Sequence, residues 1–207
     1  MTLPRGTRIL SSPGQIEAVS SPLRIEVLEH LRLAGPASVA DLGRLMGRSA
    51  TALHYHVNRL RSAGLLREAG RRAAGKRKES VYRLAAERFA VLGRPSSPGS
   101  LRIAARTLGA TLRLAHREAS RALLTGLAGG HGPNRNFHTR RLRAPLSAAA
   151  RGRVNRLLDE LERIFFRELK RQARRARGRG PGAPPAGIAA LTFLLAPASG
   201  TRKEAPR

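Results

Sequence analysis

Residues 49–66 read Ser-Ala-Thr-Ala-Leu-His-Tyr-His-Val-Asn-Arg-Leu-Arg-Ser-Ala-Gly-Leu-Leu, and this stretch decides the fold. Three apolar residues recur in it at helical spacing: Leu53, Val57 and Leu60. Ser49 is a residue type that caps helix N-termini, and Gly64 is one that ends helices. The pattern predicts an amphipathic helix over 50–63 that buries one face. Its opposite face carries polar and aromatic side chains.

Further helical patterns precede this one. Residues 13–34 indicate two helical pieces, with a helix start at Ser21, which a proline follows, and a stop at Gly35. Ser38 is placed to cap a third, shorter helix that ends at Gly47. A tight turn after that glycine lets the next helix stand out from the body of the domain.

Residues 65–84 change character from helical to extended. Residues 65–68 and 80–84 predict two short strands, which makes this stretch a hairpin. The intervening loop, 70–78, contains glycine and is strongly basic. Its cations are placed to neutralise phosphates or to enter a minor groove: Arg71, Arg72, Lys76, Arg77 and Lys78.

Four stretches occur in a recognisable order: Ser21-Pro22-Leu23-Arg24-Ile25-x-Val27-Leu28, Ser38-Val39-Ala40-Asp41-Leu42, Leu53-His54-Tyr55-His56-Val57-x-x-Leu60-x-x-Ala63-Gly64-Leu65-Leu66 and Tyr82-Arg83-Leu84. Residues 21–84 thereby resemble the winged helix-turn-helix domain of ArsR-type transcriptional regulators. The resemblance implies a homodimer that binds a two-fold-related operator, usually as a repressor. Metal-sensing members use cysteines or clusters of histidines and carboxylates. This chain has no cysteine, so the signal that it senses, if any, is left open.

The helix over 50–63 offers candidate contacts to DNA. The face opposite the apolar one takes Thr51, Tyr55, Asn58 and Arg59. The resemblance places contacts at Ala50, Thr51, His54 and Tyr55. The full set of recognition-helix candidates is Ser49, Ala50, Thr51, His54, Tyr55, Asn58 and Arg59. The resemblance gives His56 a structural role facing the body, and the alternative for every other candidate is a solvated helix face.

The charge balance points to a polyanionic partner. The 207 residues include 40 Lys and Arg against 13 Asp and Glu, a formal net charge of +27. Such an excess favours nucleic acid first and an anionic membrane surface second. GC-rich coding accounts for part of the arginine excess, but less well for the shortage of acids. Aromatic residues are 3% of the chain, which weakens the case for binding single strands by base stacking.

Several other classes of function are excluded or disfavoured. The absence of cysteine excludes disulfides, thiolate metal sites and cysteine catalysis. His54 and His56 point about 200° apart on a helix, so they cannot share an ion, and we expect no metal or cofactor. No dinucleotide, phosphate-loop, zinc-protease or nucleophile-elbow motif is present, so we expect no enzyme. The longest apolar run, 188–196, is about half of the ~20 residues that span a membrane, so we expect a cytoplasmic protein without membrane contact.

In the second half of the chain, apolar residues recur over 100–125 at alternating steps of four and three, and this pattern predicts a helix. The seam residues that this heptad pattern predicts are Leu101, Ala105, Leu108, Leu112, Ala115 and Ala119. This helix either forms a dimer seam or packs inside its own chain against 147–176. Dimerisation is favoured, because a dimer places two recognition helices about 34 Å apart on one face of the DNA.

A long helix is predicted over 147–176, capped by Ser147. Its basic end, the run 163–179, either adds non-specific DNA affinity or is a solvated helix end, where cations also favour the helix dipole. Residues 135–143 and 188–196 predict two strands that pair with each other.

The expected fold is mainly α with a small β wing: a winged helix-turn-helix domain plus a C-terminal helical region with a minor two-stranded element. Residues 13–90 form the DNA-binding domain, 91–99 a linker, 100–196 a dimerisation and possible effector region, and 197–207 a polar tail, while 1–12 are irregular. The expected function is sequence-specific binding of double-stranded DNA by a homodimeric repressor of transcription, with a small-molecule effector left unidentified. The alternative is an architectural or RNA-binding protein that uses the same basic surface without sequence preference.

Overall fold

The structure is a computed structural model, and it describes residues 6–75, 77–91, 98–133, 135–140, 142, 144–175 and 192. This part of the chain is mainly helical with a small antiparallel sheet. Its elements in chain order are β1 (Thr7–Leu10), α1 (Pro13–Ala18), α2 (Pro22–Ala34), β2 (Ala37–Ser38), α3 (Val39–Met46), α4 (Ala50–Ser62), β3 (Leu66–Ala74), β4 (Arg77–Leu84), β5 (Arg88–Val91), α5 (Pro98–Leu124) and α6 (Ala148–Arg175).

The helix starts follow local capping signals. Ser38 Oγ accepts a hydrogen bond from the amide of Asp41, whose carboxylate accepts from the Ser38 amide in return, and the two close a capping box. Ser49 Oγ accepts from the amide of Ala52 at 3.3 Å, which confirms the predicted cap of α4. Ser21 stands at the start of α2 but makes no capping hydrogen bond through its side chain. Proline at the first position of α2 removes one of the amides that a cap would otherwise have to satisfy.

One apolar core joins the first four helices to the sheet. The predicted inward face of α4 is confirmed: Leu53 and Leu60 are 0% exposed and Val57 is 1% exposed. Helix α2 adds Val27, Leu28 and Leu31, and α3 adds Val39 and Leu42.

Two glycines bring α3 and α4 close together. Gly47 ends α3 in the left-handed conformation, at φ 61°, which glycine adopts without steric cost. A Cβ on Gly43 would lie 2.7 Å from the carbonyl oxygen of Arg48, so only glycine fits under the turn. The turn is therefore short, and α4 leaves it at a fixed angle to α3.

A hairpin follows α4. Strands β3 and β4 pair antiparallel from Leu66–Leu84 at the base to Ala74–Arg77 at the tip, and β2 adds a short third strand beside β4. The strands are longer than predicted, so four of the predicted loop cations lie on them: Arg71, Arg72, Arg77 and Lys78. Lys76, the fifth, lies outside the described residues.

The start of the chain is more ordered than predicted. Strand β1 pairs in parallel with β5, with Leu10 opposite Val91, and Leu10 is 1% exposed in the core. Arg8 Nη1 donates to the carbonyl oxygen of Gly64 at 2.6 Å. The prediction of irregular residues over 1–12 was therefore wrong for 7–10, and the core takes in residues before the predicted boundary at 13.

Helix α5 packs against its own chain on one face. Ala110 and Leu114, 0% and 4% exposed, are buried against α1 and α2. Ser20 and Thr107 join the two parts through their hydroxyl groups, whose oxygens are 2.7 Å apart. The predicted linker was drawn too wide at both ends, because Val91 belongs to β5 and α5 begins at Pro98. Residues 92–97 lie outside the described part.

Helix α6 rests on α2 and β5. The Phe166 ring lies 3.5 Å from the guanidinium carbon of Arg88 and 6.0 Å from that of Arg32. Both distances are within the range of cation–π contacts. Ser147 Oγ accepts from the amide of Ala150 at 3.1 Å, which confirms the predicted cap.

The predicted strand over 135–143 was wrong. Its described residues, 135–140 and 142, are irregular. Asn136 explains this locally: its side-chain amide donates to the carbonyl oxygen of Leu127 at 2.8 Å and accepts from the amide of Gly129 at 2.6 Å. These bonds fold the segment back toward the end of α5. Apart from Thr192, the proposed partner strand over 188–196 and the tail over 197–207 lie outside the described residues.

Candidate nucleic-acid interface

The outward face of α4 is open to solvent. Tyr55 is 62% exposed, although it is a large aromatic residue. Six of the seven recognition-helix candidates are exposed: Ser49, Thr51, His54, Tyr55, Asn58 and Arg59. Ala50 is placed differently, because it is half-buried and packs against the core. One face of α4 thus presents a continuous strip of hydroxyl, imidazole, phenol, amide and guanidinium groups to solvent.

His56 faces the body of the domain, in keeping with a structural role. It is half-buried, and its ring meets the Tyr55 ring edge-on with centroids 5.3 Å apart. Burial lowers the pKa of His56, and the nearby charges of Arg24 and Arg48 lower it further. The imidazole is therefore neutral at pH 7, and it supports the aromatic side chain beside it.

Polar contacts link α1 to α2 and to α4. Arg24 donates to the carbonyl oxygens of Ala18 and Glu17, at 2.5 and 2.8 Å, and so fixes the bend between α1 and α2. Glu17 in turn lies 3.9 Å from the guanidinium of Arg59 on α4. Arg59 thus sits at the edge of the open strip with an acid beside it, and this acid would compete with a phosphate.

The hairpin carries cations on both of its faces. Alternation along the strands and the observed register place Arg71 and Lys78 on one face, and Arg72 and Arg77 on the other. Arg71 is 3.2 Å from Glu68, in an exposed pair that contributes little to stability. In the part of the chain that the structure describes, Arg77 and Lys78 form no ion pair and are exposed, so these two cations near the tip of the hairpin are open to an outside anion.

Arg72 departs from the prediction that it is a free cation. Its Nη2 donates to Asp41 Oδ2 at 2.5 Å and its Nε to Glu79 Oε1 at 2.6 Å. Asp41 is 2% exposed, so this ion pair reaches into the domain. The two acids already occupy the guanidinium that was expected to meet a phosphate.

A comparison with protein families bears on the same stretch. A family model described as a helix-turn-helix domain matches residues 19–69. This segment is a helix-turn-helix domain. The match spans α2, α3, α4 and the first residues of the hairpin, and so includes every recognition-helix candidate. A comparison with curated proteins gave no match.

The helix-turn-helix domain identifies the coarse function. Domains of this kind bind double-stranded DNA in regulators of transcription, and they place their second helix in the major groove. The finer resemblance to ArsR-type regulators remains a prediction. In the described segments, no helix has the length and apolar character to cross a bilayer, and no three His, Asp or Glu side chains are grouped to hold a metal ion.

Asp41 is the site residue that sequence reasoning missed. The signal was available, since Ser38 and an acid three residues later form the pattern of a capping box. What the sequence does not give is the second partner, because Arg72 lies 31 residues away and is brought to Asp41 only by the folding of the hairpin.

Proposed function

We propose that this protein is a winged-helix regulator of transcription that binds specific double-stranded DNA as a homodimer and acts as a repressor. The observation that carries the proposal is the open face of α4, with Tyr55 62% exposed, inside a helix-turn-helix domain. A helix fits the major groove of B-DNA, which is about 12 Å wide. Thr51, Tyr55 and Asn58 then read base edges, while the hairpin, as the wing, meets the backbone through Arg77 and Lys78.

The homodimer is supported by a second exposed surface. This surface is the stripe of α5, which consists of the predicted seam residues Leu101, Ala105, Leu108, Leu112, Ala115 and Ala119. The three leucines of the stripe are exposed, at 54%, 44% and 41% respectively, whereas the opposite face of α5 is buried against the rest of the chain. A two-fold dimer along this stripe buries the leucines and presents two copies of α4 to adjacent major grooves, about 34 Å apart.

Repression requires only that the dimer occupies a promoter. A dimer seated across a promoter excludes polymerase from the same DNA, without any enzymatic step. The family resemblance favours this sign of regulation, and it also leaves room for a small-molecule effector that changes the spacing of the two α4 helices.

Selection of bound sequences from a random pool of duplex DNA tests the proposal directly. The expected result is a palindromic consensus whose half-sites are one helical turn apart, about 10–10.5 base pairs. A consensus without two-fold symmetry would reject the dimer, and recovery of no consensus would reject specific binding.

Competition separates this proposal from the alternative of sequence-independent binding to DNA or RNA. At ~200 mM salt, a phosphate-only binder loses most of its affinity, and a shuffled duplex or an RNA competes as well as the selected one. We expect the selected duplex to stay bound under these conditions and the shuffled duplex to compete weakly.

A further inference from the structure

A buried carboxylate joins the hairpin to the first helix of the helix-turn-helix unit. Asp41 Oδ2 accepts hydrogen bonds from the Ser38 amide at 2.9 Å, the Ser38 hydroxyl at 3.1 Å and Arg72 Nη2 at 2.5 Å. Its Oδ1 accepts from Arg44. Three of these donors come from Ser38 and Arg44, each three residues from Asp41 in the chain, and only Arg72 comes from the outer hairpin.

Arg72 links the outer hairpin to α3 through Asp41. The third strand, β2, reaches no farther toward the tip than the pair Ser38–Val81. Beyond that pair, the hairpin continues as two strands only. A register shift lies just before this outer part, between Glu68 and Gly70, and such bulges bend and twist a ribbon. A two-stranded ribbon is marginally stable on its own, so its direction depends on whatever anchors it.

The chemistry of the contact suits an anchor. Arg72 bonds Glu79, directly opposite on β4, and Asp41 on α3 at the same time, so it ties both strands of the hairpin to α3. A planar guanidinium can donate in two fixed directions, which an ammonium on a flexible stem cannot reproduce. Hydrogen bonding to Asp41 raises the pKa of Arg72, so the charge is permanent.

We propose that Arg72 is a positioning residue for DNA binding. Through Asp41 it holds the outer hairpin at a fixed angle to α3 and α4, so that Arg77 and Lys78 reach the backbone of the duplex whose groove α4 occupies. It makes no phosphate contact of its own. This inference rests on the proposed function, since it assigns a role within DNA binding.

The test compares salt dependence and additivity. Fluorescence anisotropy with a mixed-sequence duplex long enough for two half-sites is recorded over ~50–200 mM salt for four proteins: wild type, Arg72→Gln, the tip variant Arg77→Gln/Lys78→Gln, and the triple variant. Each phosphate contact contributes about 0.9 to the slope of log K against log salt. The matched control is Arg71→Gln, which removes the same charge from the neighbouring exposed position.

A positioning role predicts that Arg72→Gln lowers the slope by about 1.8 per protomer, as the tip variant does, and that the triple variant binds no more weakly than the tip variant. Arg71→Gln should change the slope by at most about 0.9. A change of about 0.9 for Arg72→Gln that adds to the loss in the tip variant would show a direct phosphate contact and overturn the inference, as would unchanged binding.

Arg72→Lys keeps the inference testable if Arg72→Gln fails to fold. It retains the charge but loses the two-directional contact, so the positioning role predicts weakened binding, whereas a simple phosphate contact predicts affinity near that of wild type. Wild-type protein that binds no duplex at all would overturn the proposed function and this inference together. Wild-type binding with an unaffected Arg72→Lys variant would overturn this inference alone.

Discussion

Asp41 serves a helix cap and a tertiary ion pair with one carboxylate. Its burial raises its pKa, but hydrogen bonds from Arg72 and Ser38 outweigh burial and hold the pKa below the ordinary value. Because the folded pKa is the lower one, the stability that the ionised group contributes is present above the unfolded pKa and is lost as pH falls through the folded pKa. Removing one partner leaves the others uncompensated, so neither Asp41 nor Arg72 is free to change alone.

Glu29 gives a pH dependence of the opposite sign. Burial raises its pKa from 4.5 to about 7; Glu118 on α5 and Glu26 on its own helix add to the effect, and Arg32 opposes it. The folded state therefore holds a proton that the unfolded state releases, and stability falls as pH rises from 4.5 to about 7. At 1.36 kcal/mol per pKa unit, the loss is about 3 kcal/mol.

Glu29→Gln should remove most of this dependence. In urea unfolding followed by circular dichroism, we expect the variant to gain up to about 3 kcal/mol relative to wild type between pH 5 and pH 8. Glu160→Gln, on the exposed face of α6, is the matched control and should track wild type. Parallel stability curves for wild type and Glu29→Gln would show that this carboxyl has no raised pKa.

Tyr55 and Thr51 should control sequence preference. Either alanine variant removes a side chain that is exposed on α4 and leaves the core intact. We expect a loss of about 1–3 kcal/mol on the selected duplex and little change on a shuffled one. Competition binding with both duplexes measures the difference. Equal losses on the two would mean that these residues do not read bases.

The hairpin is longer than its local sequence pattern predicts. Residues 70–78 are basic and contain glycine, which is typical of a loop, but pairing of β3 with β4 continues as far as Ala74 and Arg77. Glu79 opposite Arg72 is a cross-strand pair that stabilises this extension. The register of the two strands therefore determines on which face of the hairpin each cation lies.

The tip cations should contribute to binding without regard to sequence. Arg77→Gln/Lys78→Gln removes two charges that are exposed near the end of the hairpin. We expect affinity for selected and shuffled duplexes to fall by a similar factor, and the salt slope to fall by about 1.8 per protomer. Titrations of both duplexes at several salt concentrations give these values. A loss confined to the selected duplex would indicate base contacts by the wing.

Elements that depend on neighbours in sequence were predictable, and those that depend on distant partners were not. Ser38 and Ser49 could be predicted as helix caps, because the hydroxyl of each accepts a hydrogen bond from the amide three residues later. Strand β1 gives no such signal, because it is stabilised by β5, some 80 positions later in the chain. The opposite error occurred near Asn136, where strand-like residues lack a partner strand in the described region and fold into a loop. In the site, exposure of α4 followed from periodicity, whereas the Arg72–Asp41 contact did not.

At the scale of the whole molecule, α5 is connected to the helix-turn-helix domain by an ion pair as well as by packing. Glu26 on α2 accepts from Arg117 on α5 at 2.9 Å and lies 3.9 Å from Arg48 in the turn before α4. The Glu26 carboxylate therefore lies between α5 and the start of α4. The exposed stripe of α5 lies on the face of that helix opposite Ala110 and Leu114, which are buried against α1 and α2.

Replacing Leu108 and Leu112 of that stripe by glutamate should separate the protomers without unfolding them. Both leucines are more than two-fifths exposed, at 44% and 41%, and the buried face of α5 at Ala110 and Leu114 is untouched. Sedimentation equilibrium should then give a monomer, and affinity for a palindromic duplex should fall by a factor of about 10² or more, because the two half-sites are no longer bound together. The control is Leu124→Glu, which adds the same charge at an 88% exposed position off the stripe and should stay dimeric. If the double variant sediments as a dimer, the protomers associate through a different surface and the stripe is not the seam.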